Sequence, residues 1–196
     1  MDVEQRLLQR TFLYALAQLS GIILIMDCMH HYDSPLGGIT LAGNGAALTG
    51  LWFDGQRHYA ETLPAGHTEK SLPVFDEADR WLDLYFGGRI PDFTPALAPE
   101  GSPFRKAVWK ILLSIPYGET VTYGQIAERI AKEAGTGRMS AQAVGSAVGH
   151  NPISLIIPCH RVVPADGSPG GYAGGTDRKI RLLQMERKTC LPMRDE

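Results

Sequence analysis

The chain has 196 residues, 44% of them apolar and 20% charged, with a formal net charge of −2. These are ordinary values for a soluble globular protein with one good core or two small ones. Three cysteines, Cys28, Cys159 and Cys190, are too few and too scattered for a disulfide framework, which excludes a stapled secreted scaffold and points to a reducing, cytoplasmic setting. The charge is unevenly spread. The first hundred residues carry 6 Lys/Arg against 13 Asp/Glu, and the remainder 13 against 8. Either a polyanion approaches the second half, or two domains simply differ by scatter.

Residues 11–26 are mostly apolar and follow Arg6 and Arg10. The run resembles a weak signal or anchor, but a membrane span needs roughly 20 residues. No small-residue cleavage pattern follows it. An extra helix and a start assigned too early, with Met26 or Met29 as the true one, both stay open. Residues 1–26 are given no function, and no membrane partner is expected.

Further on, residues 38–42, 47–53 and 56–60 are predicted as short strands, separated by Gly43-Asn44-Gly45 and Asp54-Gly55, which tolerate the φ angles of tight turns. Leu72-Pro73 opens a helix in which Phe75, Ala78, Leu82 and Tyr85 recur at helical spacing and which Gly87-Gly88 ends. Residues 87–103 are rich in Gly and Pro and are predicted as a linker. The domain division is therefore 27–100, a small α/β unit, and 101–196.

In the second domain Phe104, Val108, Ile111, Leu112 and Ile115 outline an amphipathic helix stopped by Pro116. Thr122 and Gln125 fit a capping box, starting a helix to about Ala134. Gly135-Thr136-Gly137 breaks it, and Ser140 can cap a second helix, residues 141–149. Two short helices with a Gly-containing turn suggest a helix-turn-helix. The second is slim, with Ala141, Ala143, Gly145, Ser146, Ala147 and Gly149; it suits a groove in a ligand or close packing on another helix.

Leu155-Ile156-Ile157 is predicted as a buried strand cut off by Pro158. Cys159 then stands beside His160 and Arg161, and positive neighbours favour the nucleophilic thiolate. Neighbours on a strand face opposite ways, so His160 would reach the thiol only through a bend or a water, with Glu186 as a candidate orienting carboxylate. The competing expectations are a buried inert cysteine and, for Glu186, a solvated helix residue. Residues 170–175 place four glycines around Tyr172 and Ala173; such a loop lets a flat ligand come close, although surface turns look the same.

Pro158-Cys159-His160-Arg161-Val162-Val163, with Asn151-Pro152 before it and Gly171-Tyr172-Ala173-Gly174-Gly175 after it, resembles the O6-alkylguanine-DNA alkyltransferases. The likeness spans roughly residues 101–187 and includes residues 115–120 and Ala143-Val144-Gly145. Residues 27–100 resemble, more loosely, the ribonuclease H-like α/β domain of that family. The fold class implied is α/β plus mostly α: that domain followed by a helix-turn-helix (winged-helix-like) alkyltransferase domain.

The resemblance implies direct-reversal repair of double-stranded DNA. Cys159 would take the alkyl group from O6-alkylguanine once and irreversibly, as a methylated-DNA–protein-cysteine S-methyltransferase; O4-alkylthymine as a second substrate is left open. By the same resemblance His160 accepts the thiol proton through water and Glu186 orients the imidazole. Tyr123 donates to N3 of the leaving guanine, and Asn151 braces the junction with the recognition helix. Val162, Tyr172, Ala173 and Gly174 line the pocket, Gln142 and Ala143 meet DNA, and Arg161 is a structural clasp. The base must leave the stack, because a thiolate cannot line up behind the alkyl carbon inside a duplex.

One position departs from the family. Where members carry an intercalating arginine, this chain has Gln142, without charge or stacking plane, so slower or weaker flipping is expected. The segment 132–139 also looks longer than usual, and its Lys132 and Arg138 are candidates for phosphate contacts. Cys28, His30 and His31 lie close together without an evident fourth ligand, so no metal and no cofactor are expected. A monomer is expected. The rival functions are an alkyltransferase-like protein that binds the lesion without transfer, and a cysteine hydrolase.

Overall fold

The computed structural model describes residues 28–63 and 66–190; residues 1–26, with their apolar run, lie outside the described residues. Strand β1 (Cys28–Ser34), β2 (Gly37–Gly43) and β3 (Leu48–Phe53) form an antiparallel meander. A short β4 (Thr68–Glu69) joins β1 in parallel, giving the order β3-β2-β1-β4. Helix α1 (Pro73–Phe86) begins with proline, whose missing N–H costs nothing there, and packs Phe75, Ala78, Leu82 and Tyr85 inward against β1 and β2.

One expectation fails in this half. Residues 56–60 form turns rather than a strand, because His58 and Ala60 hold φ of 61° and 53°, far from extended backbone. Conversely, β1 was not foreseen. Its histidines and aspartate break the apolar alternation, and seven-residue pairing with β2 makes it a strand. That pairing also disperses the triplet Cys28, His30 and His31. His30 Nε2 meets Asp79 at 2.8 Å and its ring stacks on Phe75, while His31 faces Asp33.

The Gly/Pro-rich segment is tied down rather than free. Leu48 N donates to Ala96 O at 2.8 Å, and Ala98 N to Leu48 O at 2.7 Å. Farther along β3, Leu51 N donates to Pro152 O and Ser154 N to Leu51 O, each at 2.8 Å. The outer edge of the sheet is thus covered, and the second half of the chain is registered on the first.

That second half holds α2 (Pro103–Leu112), β5 (Val121–Thr122), α3 (Tyr123–Glu133), α4 (Ala141–Gly149), β6 (Val162–Val163) and α5 (Thr176–Cys190). The capping box at Thr122 forms in both directions, Gln125 N to Thr122 Oγ1 at 3.2 Å and Thr122 N to Gln125 Oε1 at 2.7 Å. Helices α3 and α4 pack as a helix-turn-helix, with α2 across them. Slim α4 buries Val144, Ala147 and Val148, and Trp109 Nε1 donates to Ala147 O at 2.9 Å. Its first turn, with Ala141 and Gln142, remains exposed.

Residues 155–157 are not a strand. They form a fully buried turn in which Leu155 has a φ of 67°, a conformation costly for a leucine that its complete burial offsets. Cys159 consequently lies not at a strand end but on a single 3₁₀ turn, Cys159–Arg161, leading into β6. Among the described residues no helix is long and apolar enough to cross a membrane.

Candidate active site

Parallel pairing of β5 with β6, Val121 opposite Val162, brings the start of α3 beside the 3₁₀ turn. Tyr123 and Cys159 therefore line one open cavity of about 490 Å³, together with Val148, His150, Tyr172 and Ala173. Cys159 is only 4% exposed, yet it faces this cavity. A larger hollow of about 640 Å³, along Leu97–Glu100 and α2, is lined by no cysteine or histidine.

The environment of the sulfur differs from the sequence expectation. Burial pushes the Cys159 thiol above its ordinary value; a hydrogen bond from Asn151, the charge of Lys179 and backbone N–H groups oppose this without overcoming it. His160 and Arg161 do not supply the expected positive charge. Burial lowers the His160 pKa below that of free imidazole, so the ring is neutral near pH 7, and the guanidinium is turned away. The resting group is a thiol.

Behind the sulfur lies a network centred on Glu186, which is fully buried rather than solvated. Its Oε1 accepts from Tyr85 OH at 2.8 Å, His160 Nε2 at 2.8 Å and Arg161 Nη2 at 3.0 Å. Its Oε2 accepts from Arg161 Nε at 2.9 Å and Gly118 N at 3.1 Å. Burial would raise this carboxyl, but the hydrogen bonds of His160 and the forked, charged contact of Arg161 hold it well below the ordinary carboxylate range. An ionised carboxylate only accepts, so the shared proton sits on His160 Nε2 and Nδ1 carries the lone pair. Nδ1 is buried with no hydrogen-bond partner among the described residues, as a base in waiting would be. Arg161 Nη1 also donates to Ile115 O at 2.7 Å, which clasps α2's outgoing turn to the site.

Asn151 touches the sulfur directly. Its Nδ2 lies 2.8 Å from Ile157 O and 3.1 Å from Cys159 Sγ, while its Oδ1 accepts from Ile153 N at 3.0 Å. Burial, and then the nearness of Cys159, raise the Tyr123 phenol, which stays protonated. Other candidates stand apart. Val162 is buried with its carbonyl engaged, Gly174 faces a neighbouring groove beside Arg178, and Gln142 and Ala143 sit on the first turn of α4, outside the cavity.

Two residues escaped the sequence reading. Lys179 is fully buried on α5, its Nζ donating to Val162 O at 2.6 Å and Gly171 O at 3.2 Å. Burial drives its pKa down to about 8, with Cys159 pulling the other way. The buried face of α5 is Lys179, Leu182 and Glu186, so two charged residues stand where an apolar pattern would be sought. Tyr85 counted only as an apolar position of α1, and a signal for its hydroxyl was lacking because its partner lies 101 residues away.

Comparison with known proteins adds a second line of observation. Residues 103–188 match the 6-O-methylguanine DNA methyltransferase DNA-binding domain, and residues 28–99 the ribonuclease-like domain of the same proteins. A methylated-DNA–protein-cysteine methyltransferase of Mycobacterium bovis is 43% identical over 162 residues, 81% of this chain and 93% of that one. Its counterpart in Methanosarcina barkeri is 47% identical over 154 residues, 79% and 93% of the two chains. The crystal structure of Mycobacterium tuberculosis OGT in complex with DNA superposes with a TM-score of 0.72 at 42% identity, covering 83% of this chain and 94% of that one.

Two expected outcomes follow from the charges. Glu186→Gln leaves the Arg161 guanidinium buried without its counter-ion and should cost about 3–5 kcal/mol in urea unfolding. Because the folded pKa of Glu186 is depressed, its contribution is fully present above the ordinary value of 4.5 and lost as pH falls below it; a melting-temperature series in acid should lose that slope in the variant. Lys179→Met removes an ammonium whose charge favours the thiolate, so the pH midpoint for iodoacetamide modification of Cys159 should move upward. An unmoved midpoint would show that the ammonium only holds the two carbonyls.

Proposed function

The chain belongs to the 6-O-methylguanine DNA methyltransferase family, and on that premise we propose that it reverses alkylation damage by moving the alkyl group of O6-alkylguanine in DNA onto Cys159. Each molecule acts once, because a thioether is not a leaving group in this site. The observation that supports the reading best is a sulfur at the floor of an open cavity with an Asn151–Cys159 contact in front and a Glu186–His160 pair behind. The proposal includes a division near residue 100 into a ribonuclease-like and a DNA-binding domain, a monomer, and a reducing cytoplasmic setting.

The chemistry follows from the protonation states. The resting thiol gives its proton, through one water, to the free Nδ1 of His160, and Glu186 compensates the imidazolium that forms. The sulfur lone pair then forms the S–C bond while the C–O6 bond breaks, and its electron pair stays with guanine. Tyr123, kept protonated by its surroundings, donates a proton at N3 of the leaving base. Thiolate is thus generated when a substrate is present, not beforehand.

A swung-out nucleotide is needed for that geometry, at a cost of a few kcal/mol. In this proposal α4 lies against the duplex with Gln142 and Ala143 foremost, and Gln142 hydrogen-bonds the orphaned partner base where relatives use arginine. Tyr172 and Ala173 cover the incoming base, Gly174 lets Tyr172 approach, and Val162 and Arg161 hold the wall and floor. A Cβ at Gly174 would lie 2.6 Å from the Tyr172 ring.

Incubation with duplex carrying O6-methylguanine should add one methyl group to the intact protein, on the peptide containing Cys159, and Cys159→Ser should add none. Binding without a mass change would favour a lesion-binding protein, and repeated turnover of an ester or amide a hydrolase. Gln142→Arg should raise the single-turnover rate on methylated duplex; an unchanged rate would remove Gln142 from the flipping step.

A further inference from the structure

The first domain reaches the cavity through the turn that replaced the expected strand at residues 56–60. Gln56 is buried, its Oε1 accepting from Phe53 N at 3.0 Å and Ser154 Oγ at 3.2 Å. Arg57 N donates to Ala173 O at 2.9 Å. These bonds deliver His58, at a left-handed φ of 61°, onto His150 at the end of α4, with ring centroids 4.1 Å apart and an interplanar angle of 27°.

Each ring also has a hydrogen-bond partner at Nδ1. His58 Nδ1 lies 2.7 Å from Glu61 Oε1, and His150 Nδ1 lies 2.8 Å from Ser146 O. Carboxylate and carbonyl only accept, so each Nδ1 donates. The stack lines the cavity that holds Cys159, and it is built from both halves of the chain. His150 also directly precedes Asn151, whose amide touches the sulfur at 3.1 Å.

In-line displacement requires sulfur, reacting carbon and O6 to lie on one axis. Anything beyond the reacting carbon must then project sideways, into the walls around the sulfur. A methyl group needs no side room, whereas an ethyl, butyl or benzyl group does. Tyr123 and Tyr172 form two of those walls. Resting on the transfer reading above, we propose that the His58–His150 stack is the third, and that it sets the largest alkyl group Cys159 can accept. The first domain is then a specificity element of the reaction rather than a bystander.

The test compares single-turnover rates of the full chain on duplex carrying O6-methylguanine and O6-benzylguanine, with thioether formation read by mass. In His58→Ala and His150→Ala the benzyl-to-methyl rate ratio should rise by on the order of tenfold or more, tenfold being the low end of what one methylene's worth of pocket space produces. His58→Phe keeps a flat ring and should return the ratio toward wild type, a rescue that a purely structural role would not give. His58→Ala, in an external turn, provides the readout if His150→Ala fails to fold. A ratio unchanged in His58→Ala, or both rates falling in parallel, overturns the inference while leaving methyl transfer by the wild type intact. Absence of wild-type methyl transfer overturns the underlying function and this inference together.

Discussion

A single buried carboxylate organises this molecule. Glu186 receives hydrogen bonds from α1, from the turn at Gly118 and from two residues of the Cys159 turn. A carboxylate taken out of water costs several kcal/mol unless charge and donors replace its hydration, so the site is stable only when all those segments are in place. The same constraint determines the chemistry. An ionised Glu186 accepts a hydrogen bond from the Nε2–H of His160 and so leaves the opposite nitrogen as the base.

The sulfur illustrates how burial and reactivity are reconciled. A sealed thiolate would be costly, and a thiolate open to water would react indiscriminately. Here the thiol is held neutral by burial, with a hydrogen-bond donor in Asn151, a nearby ammonium in Lys179 and an unprotonated imidazole nitrogen already positioned. On the proposed mechanism little thiolate exists near neutral pH until a base fills the cavity. Irreversible chemistry is thereby biased toward the lesion over passing electrophiles.

The division of labour between the two halves is less sharp than two domain matches suggest. Tyr85 reaches from the first half into the Glu186 network, and His58 into the cavity wall. Arg178 of α5 donates to Leu36 O and Gly174 O at 2.9 and 3.0 Å and lies over the Phe53 ring. The loop that covers the cavity is therefore anchored on the sheet. The polar cluster at Cys159 and the sheet edge at Leu51 are two ends of one scaffold, joined through Ile153 and Ser154.

Local signals were legible without coordinates. Proline at the start of α1, the Thr122–Gln125 box, the Ser140 cap and the glycine breaks each depend on contacts within a few residues, and each appears where the sequence puts it. The ordered motifs around Cys159 carried the family. What failed was non-local. The stretch at residues 155–157 has strand-like composition but is held as a turn by burial, and β1 is a strand because of its partner rather than its pattern. Lys179 and Tyr85 matter through partners in other segments, and the neutral state of the Cys159 thiol arises from desolvation, which no spacing of residues encodes. The amino-acid order alone named the candidate residues around Cys159; the tertiary fold decided their protonation and their neighbours, because both depend on how much water the packed chain excludes.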